Sequence, residues 1–172
     1  MFPAMSSLLP TLAVVAQSIF IVLVGLLIFR KESLLRVIAP YMMWGAFLIV
    51  LGSIAGSVWY SDVLGYEPCS LCWYQRIFLF PQLLILGVGL FKGDSRSMAY
   101  SFWLSCVGGL IAFYHSLLQY GFETGLPCPV GGSVSCAQRF VFEFGYITIP
   151  VMALTTFALL IVFTMIHKKY AS

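Results

Sequence analysis

Charge is what this sequence has least of. Six acidic and nine basic side chains are spread over 172 residues, while 61% of the residues are hydrophobic. A soluble domain cannot cover that much apolar surface with so few charges, so the composition implies a membrane protein. The basic residues fall in short clusters between apolar runs and form no stripe, which excludes a nucleic-acid-binding surface. No basic region precedes the first apolar run; the charges follow it. A cleavable signal peptide has the opposite order, so the first run is expected to be a retained helix.

What the chain has in quantity is apolar length. About 20 mostly apolar residues span the hydrocarbon core as a helix, and five stretches qualify: roughly 12–29, 41–58, 73–91, 98–119 and 147–166. The expected fold is therefore an all-α membrane protein with five spans. Pro40 and Pro150 lie near helix starts, where proline is tolerated, whereas Pro81 inside the third run is expected to kink it. Gly108, Gly109 and Ser105 suit close helix packing in the fourth.

Charge distribution sets the expected orientation. Arg30, Lys31, Arg36, Lys92, Arg96, Lys168 and Lys169 all fall in the links after spans one and three or in the C-terminal tail. Only Arg76 and Arg139 fall on the other side, with Asp62, Glu67, Glu123 and Glu143. The positive-inside rule then puts the N-terminus outside and the C-terminus in the cytoplasm. Trp59, Tyr60, Tyr66, Phe140, Phe142, Phe144 and Tyr146 sit where an outer aromatic belt belongs.

Cysteine is scarce, with five copies, but four of them are paired on one side of the membrane. Cys69 and Cys72 form a CxxC at the mouth of the third span, and Cys128 and Cys136 bracket a Pro/Gly-rich loop. Both pairs lie outside in this topology, in the compartment where disulfides persist. A thiol at a helix N-terminus meets the positive end of the dipole and free amides, which favours the thiolate and suits reversible exchange. Two other readings stay open for the first pair: a static disulfide, or part of a zinc site with the second pair. Seven residues between Cys128 and Cys136, including two glycines and a proline, allow an exposed, mobile loop disulfide. A passive loop staple is the alternative.

Arg76 lies one helical turn below Cys72, on the same face. It either snorkels to headgroups or serves the thiols, by steadying a thiolate or donating to a lipid-soluble acceptor. His115, near the outer end of span four, is either an interfacial polar residue or a functional one. Cys106, in mid-span, is expected to be an inert small hydrophobe.

The run PCSLCWYQRI with a second cysteine pair after it resembles the DsbB family of membrane thiol:quinone oxidoreductases, over roughly residues 37–166. The short second spacing is most similar to the BdbC-type members of Gram-positive bacteria. Cys69, Leu71, Cys72, Tyr74 and Arg76 fit the family's C-x-L-C-x-Y-x-R core. The resemblance implies a four-helix transmembrane bundle at 37–172, with residues 1–36 as an additional helix and cytoplasmic linker. It also implies a bacterial cytoplasmic membrane, a quinone cofactor (ubiquinone or menaquinone) and a DsbA-like thioredoxin-fold thiol oxidase as partner. By the same resemblance Cys128 takes the partner's attack, Cys136 exchanges with Cys69, and Cys72 lies beside the quinone. Arg76 contacts the quinone, and His115, thirteen residues before Cys128, matches the family's functional histidine. Vitamin K epoxide reductase homologues place the loop cysteines before the CxxC; here the CxxC comes first.

Two other classes compete. A non-enzymatic membrane scaffold or assembly protein would hold two static disulfides, and thiol trapping separates it from a cycling relay. A small transporter is disfavoured by the scarcity of polar residues at mid-membrane depth.

Overall fold

The computed structural model describes residues 8–122 and 135–171. Among these, five helical stretches are long and apolar enough to cross a membrane: Leu8–Ile28, Glu32–Val63, Ser70–Lys92, Arg96–Gln119 and Ile149–Tyr170. We label the α-helices α1 (Leu8–Ile28), α2 (Glu32–Ile38), α3 (Met42–Val58), α4 (Ser70–Lys92), α5 (Arg96–Gln119) and α6 (Ile149–Tyr170). The described residues contain no strand, only an isolated bridge between Glu143 and Ile147. The chain is an all-α, multi-pass membrane protein.

The expected boundaries shift most in the second span. The polar segment 30–36 is largely helical, because a turn at Phe29–Lys31 already reverses the chain. Arg30 adopts a left-handed φ of 48° there, and Lys31 N–H closes onto Leu26 O at 3.1 Å. Glu32 then starts α2, with Arg36 one turn on at 3.8 Å. Pro40 sits in the first turn of a 3₁₀ segment, Ala39–Tyr41, where its missing N–H costs no hydrogen bond. The second span therefore runs from Glu32 to Val63 and ends in a wide turn at Trp59–Val63. Helix α4 continues as one helix through Pro81.

Helix α6 is the centre of the bundle: half of its most apolar window is buried, against 11% for α1. Phe157 of α6 is fully buried against Gly108 of α5, where an added Cβ would overlap its ring. Between α4 and α5, Ser101 and Ser105 donate to Gln82 Oε1 at 2.6 and 3.2 Å, and Gln82 Nε2 donates to Phe78 O. All three side chains are fully buried, so this knot satisfies its polar groups internally, as a lipid-embedded bundle requires. The outer surface is apolar, with Leu84, Leu110 and Trp103 about 70% exposed.

The two ends of the bundle differ. At one end His167 of α6 lies 3.2 Å from Ala39 O and 3.3 Å from Ser95 Oγ, gathering the α6 terminus, the α2–α3 junction and the α4–α5 link. The seven clustered basic residues belong to this end. The start of α4, the end of α5 and the segment 135–148 meet at the other. An aromatic stack runs across it from Tyr60 to Tyr66 (5.9 Å) to Phe140 (5.0 Å).

Candidate active site

Cys69 is the extended N-cap of α4, with ψ 171° and its carbonyl accepting from Trp73 N–H at 3.1 Å. One turn in, Cys72 brings its Sγ to 3.3 Å from the Sγ of Cys69. Cys69, Cys72 and Cys106 are free thiols, while Cys136 is disulfide-bonded. Cys128 lies outside the described residues, as do the expectations attached to it.

His115 joins the two cysteine elements. It is 1% exposed, at the end of α5 that faces the start of α4. Its Nε2 lies 3.6 Å from Cys69 Sγ and 3.1 Å from the carbonyl oxygen of Cys136. On the ring's far side Gln75 Nε2 is 2.9 Å from Nδ1. An amide nitrogen can only donate, so Nδ1 accepts and the ring hydrogen sits on Nε2, aimed at Cys69 and Cys136. Cys69, Leu71 and Cys136 share one buried cluster with Cys72, Ile111, Tyr114 and Leu118 around them.

These contacts act on the Cys69 thiol. Its pKa is lowered from the ordinary 9.0 to about 4. The hydrogen bond with Cys72 is the largest cause, burial opposes it, and the hydrogen bond from His115 adds to it. With Cys69 ionised, the Cys72 S–H is the donor. Cys69 is thus a buried thiolate held by two neighbours, the state that attacks and leaves in disulfide exchange.

Arg76 does not point at the thiols. Its Nε donates to Ser57 Oγ at 2.9 Å, and its Nη2 donates to Ser57 O at 2.8 Å and Ser61 Oγ at 3.0 Å. Its guanidinium also lies over the Trp73 ring, 5.2 Å from the centroid. The wide turn closing the second span brings Ser61 to the same guanidinium as Ser57. A cation near the membrane interface is thereby given three acceptors instead of snorkelling outward. Arg76 lines the same cavity as Cys69, Cys72, Gln75 and His115, a space of about 440 Å³. Near the thiols its polar lining includes Ser57, Ser61, Gln75 and Arg76; Ser53 of α3 and Thr155 and Thr156 of α6 also line it, among apolar residues of α1, α3 and α6.

The loop expectation needs one correction. The second cysteine pair was expected to be exposed, yet Cys136 is only 2% exposed. The segment after it is tied down on α5. Gln119 Nε2 donates to Gln138 O at 2.9 Å, and Arg139 Nε donates to Gln119 O at 2.6 Å. The Arg139 guanidinium also covers the rings of Tyr120 and Phe142. Residues 135–148 form turns and no helix. Cys106 lies nine residues before His115, about 13 Å along α5, out of reach of the thiol cluster.

Four side chains of this site escaped the sequence reading: Gln75, Ser57, Ser61 and Gln119. Gln75 carried a signal, because a glutamine inside an apolar span needs a partner. Among the described residues, Cys69, Cys72 and His115 are also the group able to hold a metal ion, their ligand atoms lying within 4.8 Å of one another. Two thiolates on one tetrahedral zinc stand about 3.8 Å apart; the two sulfurs here are closer, at hydrogen-bond distance.

The family profile described as "Disulfide bond formation protein DsbB" matches residues 40–167. The chain is similar to the "Disulfide bond formation protein C" of Bacillus subtilis, with 38% identity over 77% of this chain and 94% of the relative. It is 41% identical to the "SPbeta prophage-derived disulfide bond formation protein B" of the same organism, over 73% of this chain and 83% of the relative. The "Probable disulfide formation protein C" of Halalkalibacterium halodurans is 38% identical over 70% of this chain and 88% of the relative. No solved structure matches.

Proposed function

The chain belongs to the DsbB family of disulfide bond formation proteins, and from that premise we propose that it reoxidises a DsbA-like thioredoxin-fold partner and passes the electrons to a membrane quinone. Disulfide generation in the membrane follows from family membership; the partner, the quinone and the residue roles are our reading. The observation that carries it is the position of the Cys69–Cys72 pair. Cys136 packs against Cys69 through His115, and the pair itself lines the cavity that also contains Arg76.

The residues support the following sequence of exchanges. A partner thiolate attacks the Cys128–Cys136 disulfide at Cys128, forming a mixed disulfide and releasing Cys136 as a thiolate. The partner's second thiol resolves the mixed disulfide, and the partner leaves oxidised. The Cys136 thiolate then attacks Cys69 of an oxidised Cys69–Cys72 pair, and Cys72 leaves as a thiolate. Cys128 closes back onto Cys136 and expels Cys69. The low pKa of Cys69 favours that departure, since a more acidic thiol leaves faster. The result is a loop disulfide and a reduced CxxC, the sulfur pattern of free Cys69 and Cys72 with bonded Cys136.

The cavity beside Cys72 fits a quinone in chemistry, because it combines donors at one end with apolar side chains of α1 and α3 beyond them. Arg76, held by Ser57 and Ser61, is oriented to hydrogen-bond a ring carbonyl, and His115 holds the Cys69 thiolate. A bound quinone supplies a two-electron, two-proton acceptor. Such an acceptor is needed: DsbA, the known partner type of such routes, lies near about −120 mV, and each 30 mV of a two-electron couple is worth about 1.4 kcal/mol.

For orientation, we propose that both cysteine pairs face the extracytoplasmic side, with the N-terminus outside and the C-terminus in the cytoplasm. Residues 37–172 form the catalytic bundle in this reading, and residues 1–36 are an addition to it. The test is to mix the purified chain, a reduced thioredoxin-fold partner and ubiquinone or menaquinone, and to follow quinol absorbance. Steady quinol formation is expected. No quinol with either quinone contradicts the reading.

A further inference from the structure

Helix α1 lies outside the residues matched by the family profile, which begin at residue 40. It is nonetheless built into the cavity beside the thiols. Gln17, a glutamine in the apolar middle of α1, has its amide satisfied on both sides. Its Nε2 donates to Thr155 Oγ1 at 3.2 Å, and its Oε1 accepts from the Tyr146 hydroxyl at 2.7 Å. A polar side chain at this depth is costly unless paired, and here it fixes the rotation of α1 on α6. Near the outer end Leu9 seats on Gly56 of α3, where a Cβ would come within 3.1 Å of Leu9 Cδ2. So docked, α1 turns Leu12, Ala13, Ala16 and Ile19 to the cavity that also contains Cys72 and Arg76.

The opposite wall is α3, through Leu48, Ile49 and Gly52. Leu12, Ile19 and Leu48 are each about half exposed on the outer surface. The cavity thus opens to the lipid between α1 and α3. From Ser57 to Leu48 the α3 wall descends about 13 Å along the helix. Below Ser57 the α3 wall keeps one polar side chain, Ser53, paired with Thr156 at 2.8 Å, before Gly52, Ile49 and Leu48.

We propose that α1 and α3 frame a lateral portal for the prenyl tail of the quinone, and that α1, the helix beyond the family core, sets which tails the enzyme accepts. This rests on the quinone reading above. The ring sits at the end with Arg76 and Cys72, and the tail leaves through the slot between α1 and α3. A polar head with a long apolar tail matches both ends of the cavity.

Two glycines allow a direct test in the full chain. A Cβ at Gly52 or at Gly25 meets nothing within 4 Å, so neither position is closed to a side chain at its first carbon. Gly52 lines the portal and Gly25 does not. Gly52→Leu is expected to raise KM for a long-tailed quinone about tenfold, with less than about twofold change for a tail-less analogue. Gly25→Leu should change neither. A quinone carrying a photoreactive group on its tail should label residues of α1 and α3 in the wild-type chain. Equal effects of Gly52→Leu on both quinones, no effect on either, or label confined to α4 and α5 overturns the proposal. If the wild-type chain reduces neither quinone, the quinone reading itself has failed and the portal falls with it. If the wild-type chain reduces both and only the portal results fail, α1 alone has been misread.

Discussion

Two buried polar knots join α4 to α5, and they differ in a way that separates chemistry from architecture. Gln75 and Gln82 are two turns apart on α4, and each makes its key bond to α5. Gln82 bonds Ser101 and Ser105, while Gln75 bonds His115. The lower knot contains only amides and hydroxyls, is closed on itself, and lies away from the cavity. The upper knot ends in an imidazole ring against an acidic thiol, lines the cavity and touches the Cys136 backbone. Polar residues in a membrane helix are therefore not equal evidence of function. The decisive features are a group that can change protonation and an opening towards a reactant.

Mutations should widen that contrast. Cys69→Ser or Cys72→Ser is expected to abolish turnover measured as quinol formation, whereas an unaffected Cys69→Ser would place the chemistry elsewhere. His115→Ala removes the ring that holds Cys69 and should lower kcat about a hundredfold. It should also raise the midpoint at which Cys69 loses its thiolate, followed by thiolate ultraviolet absorbance. In the wild-type chain that thiolate should persist as pH falls from 9 and be protonated only near pH 4. This is the sign required when hydrogen bonds favour the charged form. Gln75→Leu leaves Nδ1 without its donor and should cost about tenfold in kcat, corresponding to about 1.4 kcal/mol. Arg76→His should act mainly on quinone KM. Gln82→Leu, in the lower knot, should lower thermal stability with kcat nearly unchanged. If it slowed turnover as much as Gln75→Leu, the distinction between the knots would collapse. Cys106→Ser should have the smallest effect on turnover, none beyond about twofold.

The parts that could be read from the sequence are those set by local composition. Each apolar run became a helix, four of them within about four residues of their expected ends, because hydrocarbon thickness sets the length; the second began nine residues early, at Glu32. Cys69, Cys72 and Arg76 were singled out by spacing along one helix, and α4 does begin at the CxxC. What could not be read depends on how separate helices meet. Gln75 reaching His115, Ser57 and Ser61 taking Arg76, and α1 lining the cavity are contacts between residues far apart in sequence. Cys136 was expected on an exposed loop, since glycine and proline around it signal turns. Arg139 and Gln119 instead tie its segment to α5 and bury it.

The central claim is that Cys69–Cys72 stands between a protein donor and a membrane acceptor. The most direct measurement is the redox state of that one pair, read by thiol trapping and mass spectrometry of the peptide that contains it. The chain would be incubated with reduced partner, first with quinone withheld and then with quinone supplied. The account predicts a trapped dithiol at Cys69 and Cys72 without quinone and its conversion to the disulfide when quinone is added. A pair that stays in one state under both conditions would contradict it.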